Sequence, residues 1–134
     1  MKKIILSIFL LLATLGFSQS TFIPEKNSKN RKDIMDIFRE DFSKSDKIIF
    51  RVEHFLISQN WACAEVTPLK DNVEYSEPRW GLFNLIGGKW KLIEWSKFIE
   101  VENDFELIDL PKQNSNIAKL IVKKYKCSIT IFKK

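Results

Sequence analysis

Apolar residues recur at helical spacing after a polar segment at residues 21–30. The recurring positions are Ile34, Ile37, Phe38 and Phe42. Side chains three or four residues apart lie on one side of an α-helix. Asn30 is the predicted N-cap, with Asp33 three residues later. The pattern predicts an amphipathic helix over residues 31–43, whose apolar side enters a core through Phe38.

Four later segments have the β-branched and aromatic composition that is typical of strands. They are residues 48–58, 61–69, 79–86 and 89–96. Gly87-Gly88 is a two-residue hairpin turn, and the longer polar run at residues 70–78 predicts a loop. We therefore predict four consecutive antiparallel strands.

A second helical pattern follows Pro111. Its apolar stripe lies within residues 114–126, and residues 128–132 are predicted to be a short extended tail that packs against the domain. Strands that follow one another between two helices are typical of an α+β protein, since a βαβ chain would alternate the two. The predicted fold class is α+β, with an N-terminal helix packed on a four-stranded antiparallel sheet and a C-terminal helix.

The first 18 residues have the three parts of an export signal. Met1-Lys2-Lys3 is basic, a mainly apolar run of 12 residues follows, and Gly16 and Ser18 are small residues before a cut at Gln19. A membrane-spanning helix needs about 20 apolar residues, so no stable membrane anchor is expected after cleavage. We predict a signal peptide at residues 1–18, a single α+β domain at residues 19–134, and a secreted or periplasmic location.

Composition and charge narrow the classes of partner. A chain that is 45% hydrophobic and 13% aromatic is not disordered. Loss of Lys2 and Lys3 lowers the formal net charge from +5 to +3, which is mild. An acidic stretch at residues 100–109 precedes a lysine-rich C-terminal region, and we interpret these lysines as an exposed helix surface. No nucleic-acid partner is predicted.

Two tryptophans follow hairpin turns, in Asn60-Trp61-Ala62 and in Gly88-Lys89-Trp90. A tryptophan at such a position can fold over the end of a sheet. We therefore expect Trp61 and Trp90 to share a core with the apolar side of the first helix.

Those two motifs belong to a longer pattern, which also contains Arg31-x-x-Ile34-x-Asp36-x-x-Arg39 and Phe50-x-Val52. Over residues 31–95 it resembles a group of small bacterial secreted proteins of unknown function with a cystatin-like or NTF2-like fold. The resemblance implies a curved antiparallel sheet around a helix and an exported protein, and it implies no catalytic residues. NTF2-like enzymes usually begin with several helices, whereas one helix precedes the sheet here, which argues against a deep pocket.

His54 is the only histidine, and its side chain titrates near neutral pH. With Asp36 to orient it, His54 is the candidate general base of a small NTF2-like enzyme. Strand alternation instead places His54 in phase with Phe50, Val52 and Leu56, which favours a buried structural role. We predict no catalytic residue, with His54 and Asp36 as the two candidates to be tested.

Cys63 and Cys127 are the only cysteines, 64 residues apart. Export to an oxidising compartment favours a disulfide between them, and two buried free thiols agree equally well with the sequence. Both alternatives stay open. One histidine and two distant cysteines have no metal-ligand spacing, so neither a metal nor a cofactor is predicted.

Three arginines are the candidate ligand-binding residues: Arg31, Arg39 and Arg51. Guanidinium groups bind carboxylates and phosphates, although on an open surface they often form exposed ion pairs. The predicted function is a non-enzymatic binding domain whose partner is an envelope protein or a small ligand. Such a domain would use exposed aromatics such as Tyr75, Trp80 or Trp95. The alternatives are the enzyme above and an inhibitor of an exported hydrolase that uses the loop at residues 70–78.

Overall fold

The computed structural model describes residues 20–99 and 109–134. The helices are α1 (Lys29–Arg39) and α2 (Asn116–Tyr125). The strands are β1 (Ile49–Ser58), β2 (Trp61–Lys70), β3 (Val73–Glu74), β4 (Arg79–Ile86) and β5 (Lys89–Ile93). Short 3₁₀ turns lie at Lys44–Asp46, Trp95–Lys97 and Ile129–Phe132. The predicted signal peptide and residues 100–108 of the acidic stretch lie outside the described residues.

The strands form one open antiparallel sheet with the order β1-β2-β4-β5, and β3 pairs with β2. This confirms the α+β class. The sheet has five strands and not the predicted four, because part of the predicted loop at residues 70–78 pairs with the end of β2. Asp71 and Asn72 join the two strands with φ angles of 52° and 63°, the left-handed conformation that a tight hairpin turn requires.

Helix α1 begins and ends earlier than its apolar pattern predicts. Ser28 is the N-cap in place of Asn30, and its hydroxyl oxygen accepts a hydrogen bond from the Arg31 amide at 3.3 Å. The helix ends at Arg39, so Phe42 lies beyond it, with its ring centre 5.8 Å from that of Phe50.

Apolar side chains are buried on both faces of the sheet. On one face, Ile34, Met35 and Phe38 of α1 pack in a cluster that includes Ala62 and Phe83, here called the α1 cluster. The α2 cluster, on the other face, joins α2 to the C-terminal turn and to β2 and β4. Its members include Cys63, Leu82, Ile117, Ile121, Ile131 and Phe132. The sheet therefore lies between the two clusters, because successive strand residues face opposite sides.

The two tryptophans at hairpin turns lie on different sides of the sheet. Trp90 belongs to the α1 cluster, and its indole N–H donates to the Asn30 side chain at 3.0 Å. Trp61 packs against the α2 cluster, with its ring centre 5.6 Å from that of Tyr125. The expectation that both share a core with α1 is wrong for Trp61, because this residue is in phase with Cys63 along β2.

A β-bulge in β1 changes which side chains face each helix. The register with β2 shifts between Val52 and His54. Phe50 and Val52 before the bulge, and Phe55 and Ile57 after it, all pack in the α1 cluster. His54 therefore faces the opposite side from Phe50 and Val52, so the strand alternation that the sequence predicted is wrong beyond Val52.

Candidate functional site

His54 is buried under the C-terminal 3₁₀ turn. Its side chain is 7% exposed, and Nε2 donates a hydrogen bond to the Ile131 carbonyl oxygen at 2.6 Å. Burial lowers the pKa of His54, and the positive charge of Lys134 lowers it further, whereas the Ile131 carbonyl and the Glu65 carboxylate act in the opposite direction. The neutral imidazole thus joins β1 to the C-terminal turn.

Asp36, the second candidate catalytic residue, lies on the exposed side of α1. Its carboxylate accepts a hydrogen bond from the Arg39 guanidinium at 3.0 Å. Because α1 and the C-terminal turn pack on opposite faces of the sheet, the sheet separates Asp36 from His54. The structure does not bring the two together as an acid-base pair.

The lowered pKa of His54 predicts a pH-dependent stability. Below the ordinary histidine value of 6.5, the unfolded chain takes up a proton that the folded protein resists. The free energy of unfolding is therefore expected to fall as the pH drops from 7.5 through 6.5, until the pH passes the lowered pKa. We expect His54→Gln to remove this part of the dependence, since an amide N–H can still donate to Ile131 but does not titrate.

Urea unfolding of both proteins at pH 7.5, 6.5 and 5.5 measures this difference. Carboxylates contribute equally to the pH dependence of both proteins. The contribution of His54 is therefore the difference between their free energies of unfolding at each pH. Stability curves that stay parallel over this range would show that His54 is not buried in its neutral form.

Cys63 and Cys127 are free, buried thiols within the α2 cluster. Burial raises the pKa of Cys63 well above its ordinary value and raises the pKa of Cys127 to about 11. Both thiols are therefore protonated at neutral pH, which makes them poor nucleophiles. Within residues 20–99 and 109–134, no three His, Cys, Asp or Glu side chains are grouped to hold a metal ion.

Arg51 is half exposed and is held by two carboxylates. Its Nε donates to Glu53 at 2.6 Å, and another guanidinium nitrogen donates to Glu74 at 2.8 Å. These hydrogen bonds raise the pKa of Arg51, and its bond to Glu53 lowers the pKa of that carboxyl. The structure thus places Arg51 apart from the other two candidate ligand-binding arginines.

Arg31 and Arg39 line one groove, which runs between α1 and β1 and has a volume of about 380 Å³. Arg31, Met35 and Arg39 are four residues apart and form one stripe along α1. Phe50 and Val52 line the side formed by β1. The groove therefore has an apolar floor between the two guanidinium groups.

The electrostatic character of this groove is cationic throughout. Lys26 and Lys32 line it together with the two arginines, and none of the described lining residues is a carboxylate. The guanidinium carbons lie 5.7 Å from the ring centre of Phe55 for Arg31 and 5.5 Å from that of Phe50 for Arg39. These cation–π contacts hold both groups against the protein.

The existing hydrogen bonds of the two arginines leave room for a ligand. Arg31 donates to the Pro24 carbonyl at 3.3 Å, and a guanidinium has further N–H donors. The ion pair between Arg39 and Asp36 is half exposed, and such pairs contribute about 0–1 kcal/mol. An incoming carboxylate or phosphate can therefore replace Asp36 at little cost.

Sequence reasoning paired Arg31 with Arg39 but missed Met35, Lys26 and Lys32. The four-residue spacing of Arg31, Met35 and Arg39 was the available signal. The exposed aromatic residues predicted for a binding surface are mostly not exposed. Trp95 is buried with its ring centre 5.2 Å from that of Trp80, which is half-buried, and Tyr75 alone is exposed.

The sequence matches no protein-family model, no curated protein and no solved structure. Over the described ranges, no helix has the length and apolar character needed to cross a bilayer. A functional assignment therefore depends on the residues of this chain, and the cationic groove is the feature best suited to one.

Proposed function

We propose that this protein is a non-enzymatic binding domain that holds an anionic ligand in the groove between α1 and β1. One observation carries this: four cationic side chains surround an apolar floor, with no carboxylate among the described residues that line it. Asp36 pairs with Arg39 from outside the groove, so the groove keeps an excess of positive charge, which attracts anions from solution. The neutral, buried His54 and its separation from Asp36 favour binding over general-base catalysis.

The spacing of the arginines limits the shape of the ligand. Arg31 and Arg39 are eight residues apart on one helix, which corresponds to about 12 Å along its axis. The two guanidinium groups also stack on different rings, Phe55 and Phe50, so in this arrangement a single carboxylate or phosphate does not span them. The ligand is therefore elongated, with an anionic group toward each end and an apolar portion over the floor formed by Met35, Phe50 and Val52.

Export of the protein is part of the same hypothesis. The order of basic, apolar and small residues at positions 1–18 supports a secreted or periplasmic location, with an envelope protein or a small ligand as partner. The α+β sheet preceded by one helix is compatible with a cystatin-like or NTF2-like relationship. The exported protein should have the intact mass of a chain that begins at Gln19, and a mass that retains residues 1–18 would contradict cleavage.

Dodecanedioate is a suitable probe, because its carboxylates lie at the two ends of an apolar chain of comparable length. We expect it to shift the backbone amide resonances of α1 and β1 that border the groove, and we expect 1,12-dodecanediol, its neutral counterpart, to leave them unchanged. Replacing Arg31 and Arg39 together by glutamine should weaken binding about tenfold or more, since each loses a charged hydrogen bond.

The matched control is the double replacement Lys123→Gln and Lys124→Gln. It removes the same charge from an exposed part of α2 and should leave the affinity for dodecanedioate within about twofold, because exposed charges act weakly over distance. If both double variants lose affinity for dodecanedioate equally, the net charge of the protein explains the binding and the groove does not. Resonance shifts centred away from the groove would overturn the proposed function.

A further inference from the structure

The open edge of β1 forms one wall of the cationic groove. Strand β1 is the first strand in the sheet order and pairs with β2 on one side only. Edge strands present N–H and C=O groups to which another extended segment can bind. The direction of these groups along β1 therefore decides whether the groove can accept a further strand.

The backbone N–H and C=O of Phe50 point away from β2 and toward the open edge. Phe50 lies opposite Pro68, whose carbonyl accepts a hydrogen bond at 2.8 Å from Tyr75, on the side of β2 that is remote from β1. Directly opposite residues of an antiparallel pair either bond to each other or both point outward. Val52 keeps the same register opposite Val66, so its N–H and C=O also face the open edge.

The other end of this edge already accepts an extended segment. Phe22 and Ile57 exchange two backbone hydrogen bonds, both at 2.9 Å. Phe22 is the last residue of this segment that bonds to the backbone of β1 in the described chain, and Pro24 has no N–H to continue the pairing. Within the part of the chain that the structure describes, the outward groups of Phe50 and Val52 have no backbone partner.

Two arginine side chains of α1 reach across to this edge strand. Arg39 stacks on Phe50, whereas Arg31 stacks on Phe55, so α1 runs antiparallel to β1. A strand added to the edge advances about 3.3 Å per residue, and four residues cover about 13 Å. This matches the distance of about 12 Å between the two arginines along α1.

We infer that the groove binds an extended acidic peptide as a further strand at the edge of β1. This inference rests on the proposed function. Alternate side chains of the added strand face α1. The matching sequence is acidic-x-apolar-x-acidic, with the acidic residues at Arg31 and Arg39 and the apolar residue over the groove floor between them. Backbone hydrogen bonds to Phe50 and Val52 supply affinity, and the side chains that face α1 supply specificity.

Charge argues against a second copy of this chain as the added strand. Pairing two β1 edges would bring the arginines and lysines of both grooves together, and like charges at close range oppose association. An acidic peptide instead neutralises them. Dimerisation through β1 would therefore contradict this inference.

The test uses the exported protein and the peptide acetyl-Thr-Glu-Thr-Val-Thr-Glu-Thr-amide. Two N-methylated forms of equal composition are the decisive comparison. One carries three methyl groups on the glutamate and valine nitrogens, whose N–H groups would face β1. The other carries three methyl groups on threonine nitrogens, which would face away. Calorimetry gives the dissociation constants, and amide hydrogen exchange reports on Phe50 and Val52.

We expect the unmodified and the threonine-methylated peptides to bind with similar affinity and to slow amide exchange at Phe50 and Val52. The form methylated on glutamate and valine should bind at least tenfold more weakly. Replacing both glutamates of the peptide by glutamine should weaken binding to a similar degree, because the charges that face Arg31 and Arg39 are removed.

The other outcomes contradict either this inference alone or the proposed function as well. If both methylated forms bind equally while dodecanedioate also binds, the groove holds anions without strand addition, and only this inference fails. If neither the peptides nor dodecanedioate bind, the proposed function fails as well. If exchange at Phe50 and Val52 slows with protein concentration alone, a second copy occupies the edge, and the peptide is not its partner.

Discussion

Replacing Phe38 with alanine will lower the free energy of unfolding by about 3–5 kcal/mol. Phe38 is 7% exposed, and its ring centre lies 5.5 Å from that of Phe83, which is fully buried at the centre of the sheet. Phe83 belongs to a strand with neighbours on both sides, so the sheet cannot move into the space that the lost ring leaves. The cost therefore includes a cavity as well as the lost burial.

Urea unfolding measures this loss, provided that the slope against urea concentration stays constant. Leu120→Ala is the control, because Leu120 is an apolar residue of α2 that is 42% exposed, and its loss should cost less than about 1 kcal/mol. If the two variants lose equal stability, α1 does not depend on Phe38 for its packing on the sheet.

The secondary structure was largely predictable because its signals are local. The four longer strands begin within a residue of the predicted positions, since β-branched and aromatic residues and turn residues are both read from neighbouring positions. The N-terminus of α1 was displaced because Ser28 and Asn30 are both good N-cap residues. The strand at Val73–Glu74 was missed because two residues are too few to show alternation.

The bulge in β1 shows where local pattern reasoning stops. Apolar side chains of the α1 cluster occur at Phe50 and Val52 and then at Phe55 and Ile57, a change of phase within one strand. The sequence also has apolar residues at Ile49 and Leu56, so either phase was consistent with it. Only the pairing with β2 decides between them, and that pairing placed His54 under the C-terminal turn.

The candidate site was predictable in part, because local spacing along one helix defines two of its residues. Arg31 and Arg39 share a helix stripe that the spacing alone defines, so grouping them required no tertiary information. Arg51 could not be separated from them, because its partner Glu74 is 23 residues away on a strand that was not predicted. Long-range ion pairs of this kind become visible only when the register is known.

Replacing Phe132 with alanine should also cost about 3–5 kcal/mol. The 3₁₀ turn Ile129–Phe132 is not part of the sheet, so burial of its side chains is the main interaction that holds it in place. Phe132 is 1% exposed within the α2 cluster, next to Ile131, whose carbonyl accepts the hydrogen bond from His54. A large ring that is fully enclosed leaves a large cavity when removed.

Ile129→Ala is the matched control on the same turn. Ile129 is half-buried, so its replacement should lower the free energy of unfolding clearly less than Phe132→Ala does.

Because Phe132 holds the turn against His54, the two residues are expected to be coupled. The loss of stability in Phe132→Ala combined with His54→Gln should be smaller than the sum of the two single losses. The difference between the pH 7.5 and pH 5.5 stabilities should shrink in Phe132→Ala for the same reason, since a loosened turn lets water reach the imidazole. A loss below about 1 kcal/mol, or strict additivity with His54→Gln, would mean that burial of His54 does not depend on the C-terminal turn.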